Sequence, residues 1–277
     1  MTAGADRTGE QLAANRRLWD ERVDVHYRSA FYDVDSFRTG GSRISQFELD
    51  EIGEVANRDL LHLQCHFGLD TLSFARLGAR VTGVDFSAPA VERGRELAAE
   101  LGLAATFVPS DVFELPGALS GDFDIVYTSH GVLGWLPDLR RWAEVIAHFL
   151  RPGGVFYMAE IHPVAQALDD AEEAREPRLR YPYFSVPAAL EFPVAGSYAE
   201  PTATFAEPLE YTWTHDLGEI VTSIAGAGLR IDLLHEHPFN AWRLPFLELR
   251  DGQWRLPTDT KGELPLSFSL RATKPQG

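Results

Sequence analysis

The sequence of 277 residues holds a single cysteine, Cys65, so no disulfide can form within one chain. Lysine is nearly missing: only Lys261 and Lys274 occur, and every other basic residue is arginine. Positive charge as a whole is scarce, with 25 Lys and Arg against 41 Asp and Glu and a formal net charge of −16. A protein that grips DNA or RNA displaces counterions from phosphates with a basic surface, so no nucleic-acid partner is expected, and no anionic membrane surface either. Apolar runs never approach bilayer length, and the opening MTAGADRTGEQLAANRR lacks a hydrophobic signal core. The expected location is therefore the cytoplasm. Internal repeats and low-complexity tracts are absent from the sequence.

What remains is an ordinary globular composition, 45% hydrophobic and 24% charged, long enough for one large domain or one domain with an insertion. The middle of the chain alternates short apolar runs with helical patterns, as βα units around a parallel sheet do. Strands are expected over 60–65, 79–84, 105–108, 123–128 and 155–161. Arg151-Pro152-Gly153-Gly154 reads as a turn before the fifth. The clearest helical period lies over 138–150, with Leu139, Trp142, Val145, Ile146 and Phe149 on one face. Ser87 is placed to cap a helix that Gly102 ends. Residues 163–212 are rich in Pro, aromatics and acids without a long period, which reads as an inserted lid between 59–162 and 213–273. A helix near 216–225 and strands at 229–234 and around 264–270 close the pattern, and residues 1–58 read as an appended helical cap.

Ligands in such sheets bind outside the carboxyl ends of the strands, at the switch in strand order. Four segments carry polar residues to strand ends: Gln64-Cys65-His66-Phe67-Gly68, Asp85-Phe86-Ser87, Ser110-Asp111-Val112 and Ser129-His130-Gly131. Asp85 stands 17 residues beyond Gly68, where a carboxylate can accept both hydroxyls of a ribose. Asp111 can accept from an adenine amino group. Taken singly, each acid is as easily a helix cap; the four in order carry more weight.

From Leu60 to Leu270 this order of motifs resembles the class I S-adenosylmethionine (SAM)-dependent methyltransferases of the small-molecule, bacterial type. The resemblance implies a Rossmann-like seven-stranded sheet and SAM as cofactor. It implies that Gln64, Cys65, His66 and Gly68 hold the methionine part. Asp85 and Phe86 then meet the ribose, and Ser110, Asp111, Val112 and Ser129 complete the cofactor site. The family's D-x-G-x-G-x-G becomes His62-Leu63-Gln64-Cys65-His66-Phe67-Gly68, with only the last glycine kept. Side chains at Gln64 and His66 must therefore turn away from SAM or touch it.

A methyl sulfonium is already reactive, so the protein chiefly aligns groups, excludes water and accepts a proton where the nucleophile needs it. His162, after the fifth strand and beside Glu160, is the first candidate base, and His130 is the second. The plainer alternatives are a loop histidine bonded to backbone for His162 and a loop support for His130. His62 reads as a core histidine. Tyr32 and Arg43, with Tyr27 and Phe31, either close over SAM or merely pack the N-terminal segment. Trp135, Tyr181, Tyr183 and Tyr211 are candidate substrate contacts. The wider aromatic stretch (Phe184, Phe192, Tyr198, Phe205 and Trp213) suits a pocket or a homodimer interface equally. No metal site is expected. The leading reading is methyl transfer to oxygen or nitrogen of a small, partly aromatic metabolite, such as a natural-product intermediate. The alternatives are a protein methyltransferase and a SAM-binding protein that transfers no methyl group.

Overall fold

The computed structural model describes residues 3–276. The chain begins with α1 (Ala3–Arg28), α2 (Val34–Arg38) and α3 (Gln46–Ile52), then enters β1 (Asp59–Leu63), α4 (Leu69–Arg76), β2 (Arg80–Asp85), α5 (Ala88–Leu101) and β3 (Ala105–Pro109). It continues through α6 (Leu115–Ala118), β4 (Phe123–Thr128), a 3-10 turn at Leu133–Trp135, α7 (Leu139–Phe149), β5 (Leu150–Ile161) and α8 (Pro163–Gln166). After these come β6 (Leu190–Pro193), β7 (Leu209–Thr212), α9 (Leu217–Gly226) and β8 (Arg230–His237). The chain closes with β9 (Glu248–Arg250), β10 (Gln253–Arg255) and β11 (Ser267–Thr273).

Seven strands form one sheet in the order β3-β2-β1-β4-β5-β11-β8. The first five pair in parallel, and β11 runs antiparallel to both β5 and β8. Central parallel strands are covered on both faces, which is why β1 is a nearly unbroken apolar run with Leu60, Leu61 and Leu63 fully buried. Helix α7 lays its apolar stripe, Leu139, Trp142, Val145, Ile146 and Phe149, into the main core beside Phe156, Ile220 and Ile224. Its start is fixed by Asp138, which accepts from Arg141 N at 3.0 Å. Ser87 caps α5 through Ala90 N, and Gly102 ends it with a left-handed φ of 63°. The opposite face of the sheet carries a second cluster, with Phe74, Tyr127 and Tyr157 packed against Ile44 and Ile52 of the N-terminal segment.

Two local expectations change. Residues 151–154 are not a free turn: β5 starts at Leu150 and absorbs them at a register shift against Phe123 and Ile125. Gly154 lies there so close to Arg151 O and Phe123 O that a Cβ would approach them at 2.9 and 3.0 Å. The chain also makes a second excursion, between β8 and β11, which carries no helical or strand period long enough to read. Its Phe246, Leu247, Leu256 and Leu266 form a small core with Ala165, Leu168 and Ala174 from the excursion after β5. Among the described residues no helix is long and apolar enough to cross a membrane.

Candidate functional site

Strand β1 ends at Leu63, and the turn that follows reaches α4 through three left-handed residues: Gln64 (φ 56°), His66 (φ 50°) and Gly68 (φ 76°). The glycine-type backbone path therefore survives where two of the glycines do not, at about 1 kcal/mol of strain for each side-chain-bearing residue. Gly68 tolerates no side chain, since a Cβ there would lie 2.4 Å from the Phe107 ring. Asp85 holds the turn in place: Oδ2 accepts from His66 N at 2.7 Å and Oδ1 from Ser87 N at 2.9 Å. Burial raises the Asp85 carboxyl to about 6, against the opposing pull of those two N–H groups.

Two adjoining cavities open along the carboxyl edge of the sheet. The larger, about 480 Å³, is lined by Gln64, Asp85, Phe86, Ser110, Asp111, Val112 and Trp135, together with Trp19 of α1. The smaller, about 390 Å³, is lined by Phe31, Arg43, Cys65, Gly68 and Asp70, with Phe239 and Asn240 of the second excursion. Tyr32, His66, Ser129, His130, Tyr198 and Trp242 line both, and so form their junction. In the smaller cavity Asp70 is raised to about 7 by burial, partly offset by Arg43. Arg43 itself stands 5.9 and 6.0 Å from the centres of the Phe31 and Tyr32 rings. Burial pushes the Cys65 thiol well up, so it behaves as a small apolar wall group.

The loop carrying Ser129, His130 and Trp135 is anchored from beneath. Glu160, fully buried on β5, accepts from Gly131 N (2.5 Å), Val132 N (2.8 Å), Leu133 N (3.1 Å) and Ile161 N (2.6 Å). Burial still raises its carboxyl above the usual glutamate range. Above, α1 is stitched to β7. The Asn15 amide bonds both backbone groups of Tyr211, and Arg22 pairs with Glu210 at 2.6 Å. The Arg22 guanidinium also lies 5.3 Å from the Trp19 ring and 5.9 Å from the Trp135 ring. A buried polar layer lies under the junction, where His62 contacts Thr71 Oγ1 at 2.8 Å and Ser129 Oγ at 3.4 Å. Burial depresses His62 to about 3, so it is a neutral core residue.

His162 lies away from both cavities. Its Nδ1 accepts from Val164 N at 3.0 Å, capping α8, and its Nε2 sits 3.0 Å from Glu236 Oε1 on β8. The expected partner was Glu160, raising the histidine. Instead Glu160 is spent on backbone donors, and burial lowers His162 against the pull of Glu236. Among the aromatics of 163–212, Tyr181 donates to Asp170 and stacks edge-on with Phe192, Tyr183 packs on Phe184, and Tyr211 is held on β7; these three line neither of the two cavities. Tyr27 packs on Phe67, outside the cavities. Tyr198 is the residue of that stretch at the junction. Trp19, Asp70, Asn240 and Trp242 went unread in the sequence. Only the Trp within His237-Pro238-Phe239-Asn240-Ala241-Trp242, a large aromatic in an irregular polar segment, offered a signal. Among the described residues no group of three or more His, Cys, Asp or Glu gathers at metal-binding distance.

Comparison with known proteins matches residues 60–154 to the family described as "Methyltransferase domain". The ubiquinone biosynthesis O-methyltransferase of Erwinia tasmaniensis is 30% identical over 138 residues, covering 48% of this chain and 56% of that protein. The chain thus spans about half the length of the curated relatives it matches. A putative SAM-dependent methyltransferase from Listeria monocytogenes superposes with a TM-score of 0.59 at 17% identity, over 82% of this chain and 95% of that one. The SAM-dependent methyltransferase from Mesorhizobium loti gives 0.57 at 21%, over 85% and 99%. At these identities the structural likeness speaks for the fold, and the sequence match speaks for the domain. The strand order agrees with both: residues 60–154 match the methyltransferase-domain family, and the fold is that of the SAM-dependent methyltransferases on which the chain superposes.

Proposed function

We propose that the protein transfers a methyl group from SAM to an oxygen or nitrogen of a small aromatic or polycyclic metabolite. The observation that carries this reading is the pair of cavities joined at the carboxyl edge, with a buried carboxylate, Asp85, in one and an opposed Arg43 and Asp70 in the other. The residues fit the cofactor. Two buried polar atoms of cavity-lining side chains, Gln64 Oε1 and His130 Nδ1, have no partner among the described residues, and buried polar atoms are rarely left so. Asp85 would hold the ribose hydroxyls, Asp111 and Val112 would flank the adenine, and Arg43 and Asp70 would take the charged amino-acid end. SAM supplies a methyl group on a sulfonium, ready for attack.

The chain's own work is alignment, exclusion of water and proton removal. Trp19, Trp135, Tyr198 and Trp242 supply flat apolar walls, which suit an aromatic acceptor. The relatives named as O-methyltransferases favour oxygen as the methylated atom. A hydroxyl nucleophile must lose its proton, and His130 is the base we assign, because it lines the junction while His162 caps α8 and sits beside Glu236. The two joined cavities, about 480 and 390 Å³, are of a size that favours a small molecule over a peptide. The test is incubation with SAM and a panel of hydroxylated and aminated aromatics, read by mass gain of one methyl group. His130→Ala should lower turnover by about 10²–10⁴-fold with cofactor affinity kept, and His162→Ala should leave turnover unchanged. Methylation of a basic peptide but of no small molecule would refute the substrate class, and the reverse ranking of the two histidines would refute the base.

A further inference from the structure

Two histidines, His26 buried behind the junction and His66 half-buried at it, are joined to each other and to a serine of the excursion after β5. His26 Nδ1 lies 3.2 Å from His66 Nε2, and His26 Nε2 lies 3.1 Å from Ser197 Oγ. His26 is fully buried on α1 and meets Tyr198 and Tyr32 ring to ring at 4.9 and 5.4 Å. His66 belongs to the left-handed turn after β1 and lines both cavities. The heavy-atom positions alone leave the proton positions open, but the surroundings of Ser197 do not.

Ser197 Oγ accepts from Ala199 N at 3.2 Å and from Glu200 N at 3.1 Å. A hydroxyl has two acceptor lone pairs and one proton, so these amides fill its acceptor capacity and leave only the proton for His26. Ser197 therefore donates to His26 Nε2. His26, neutral, then carries its proton on Nδ1 and donates it to His66 Nε2. His66, also neutral, must carry its own proton on Nδ1. That atom has no hydrogen-bond partner among the described residues and is not closed off in the interior, so it is open to the cavities. Burial keeps both rings uncharged, depressing His26 to about 3 and His66 well below the usual histidine range.

We infer that Ser197, His26 and His66 form a one-way hydrogen-bond relay that locks His66 in the Nδ1–H form, making it a fixed donor to an oxygen acceptor of the ligand at the cavity junction. His66 is thereby a positioning residue that cannot serve as base, since its Nε2 lone pair is occupied by His26. The proton order follows from the protein alone; only the identity of the acceptor rests on the SAM reading. Two sources supply such an oxygen: the carboxylate of the cofactor's amino-acid end, or the oxygen of the methyl acceptor. The relay also explains a side chain at a glycine position, because a glycine would break the link between the turn, α1 and the excursion.

The experiment is a long-range ¹H–¹⁵N correlation spectrum of the full chain with ¹⁵N-labelled histidine at neutral pH, without ligand. His26 and His66 should each show a protonated Nδ1 and a bare Nε2, opposite to the Nε2–H form that free histidine prefers. In Ser197→Ala the orientation is released, and an Nε2–H population should appear at His26. S-adenosylhomocysteine and 5′-methylthioadenosine, which lacks the amino-acid end, then separate the two acceptors. A shift of the His66 Nδ1 proton with the first alone assigns the carboxylate; a shift only when a hydroxylated aromatic is added to the S-adenosylhomocysteine complex assigns the methyl acceptor, and no shift with any of them overturns the donor role. An Nε2–H form or an imidazolium at either histidine in the wild type overturns the relay, as does an unchanged spectrum in Ser197→Ala. Failure of S-adenosylhomocysteine to bind would count against the SAM reading and leave the ligand-free spectrum to judge the relay.

Discussion

Replacing Glu160 by glutamine keeps the shape of the anchor beneath the His130 loop and changes only its chemistry. In the wild type Oε1 accepts from Gly131 N and Ile161 N, and Oε2 from Val132 N and Leu133 N. Glutamine offers one carbonyl oxygen and one NH₂ group. Whichever way the amide turns, two buried backbone donors face another donor. An orphaned buried donor costs about 1–3 kcal/mol, so the two together cost about 2–6 kcal/mol. Part of this returns because a neutral amide escapes the desolvation that raises the Glu160 carboxyl, and the net loss should fall at about 2–4 kcal/mol. Urea unfolding of the ligand-free protein measures it. Affinity for S-adenosylhomocysteine should fall in parallel, because Ser129 and His130 ride on the released loop. The pH dependence checks the sign. A folded-state value raised above the unfolded one contributes stability at low pH that is lost as pH rises through the folded value. The wild type should therefore lose some stability upward from the ordinary glutamate range, and the glutamine variant should lack that component. A Glu160→Gln protein with the wild-type urea midpoint and affinity would refute the anchoring argument.

Further outcomes follow from the same geometry. On the proposed contact with Asp85, ribose hydroxyls favour the ionised form of a carboxyl whose ligand-free value is raised to about 6, so affinity for S-adenosylhomocysteine should fall roughly tenfold per pH unit below 6. Asp85→Asn should remove that slope; a slope that persists there and disappears in Asp70→Asn would assign it to Asp70 instead. Gln64→Gly should match or exceed wild-type thermal stability by relieving about 1 kcal/mol of left-handed strain, whereas Gln64→Val should lose stability. Equal melting temperatures for the two would show that the strain is not there. In hydrogen exchange, the amides of Leu209–Thr212 should be protected with or without ligand, because α1 clasps β7, while those of 176–189 should exchange fast. Fast exchange throughout β7 would contradict the clasp.

Much of the fold is legible in local pattern. The 3.6-residue period of α7 and the unbroken apolar run of β1 each match one burial environment, and Ser87, Asp138 and Gly102 mark helix ends by capping chemistry that acts within a few residues. The acids at strand ends are legible for the same reason, since their positions depend only on strand boundaries. Other features depend on distant partners. Gln64 and His66 hold a left-handed backbone because Asp85 receives His66 N across the turn, which no propensity at those residues announces. His162 turns from the cavities because Val164 N and Glu236 compete for its two nitrogens, and Glu236 lies on a strand far along the chain. Trp242 reaches the junction by tertiary packing of an irregular segment, so its sequence neighbourhood carries no period to read.

The most direct test of the account is calorimetric titration of the ligand-free protein with S-adenosylhomocysteine, repeated on Asp85→Ala. The account predicts one site per chain in the wild type and a loss of about 2 kcal/mol or more in the variant, roughly thirtyfold in affinity, while far-ultraviolet circular dichroism stays unchanged. No binding to the wild type, or equal affinity in a folded Asp85→Ala protein, would contradict it.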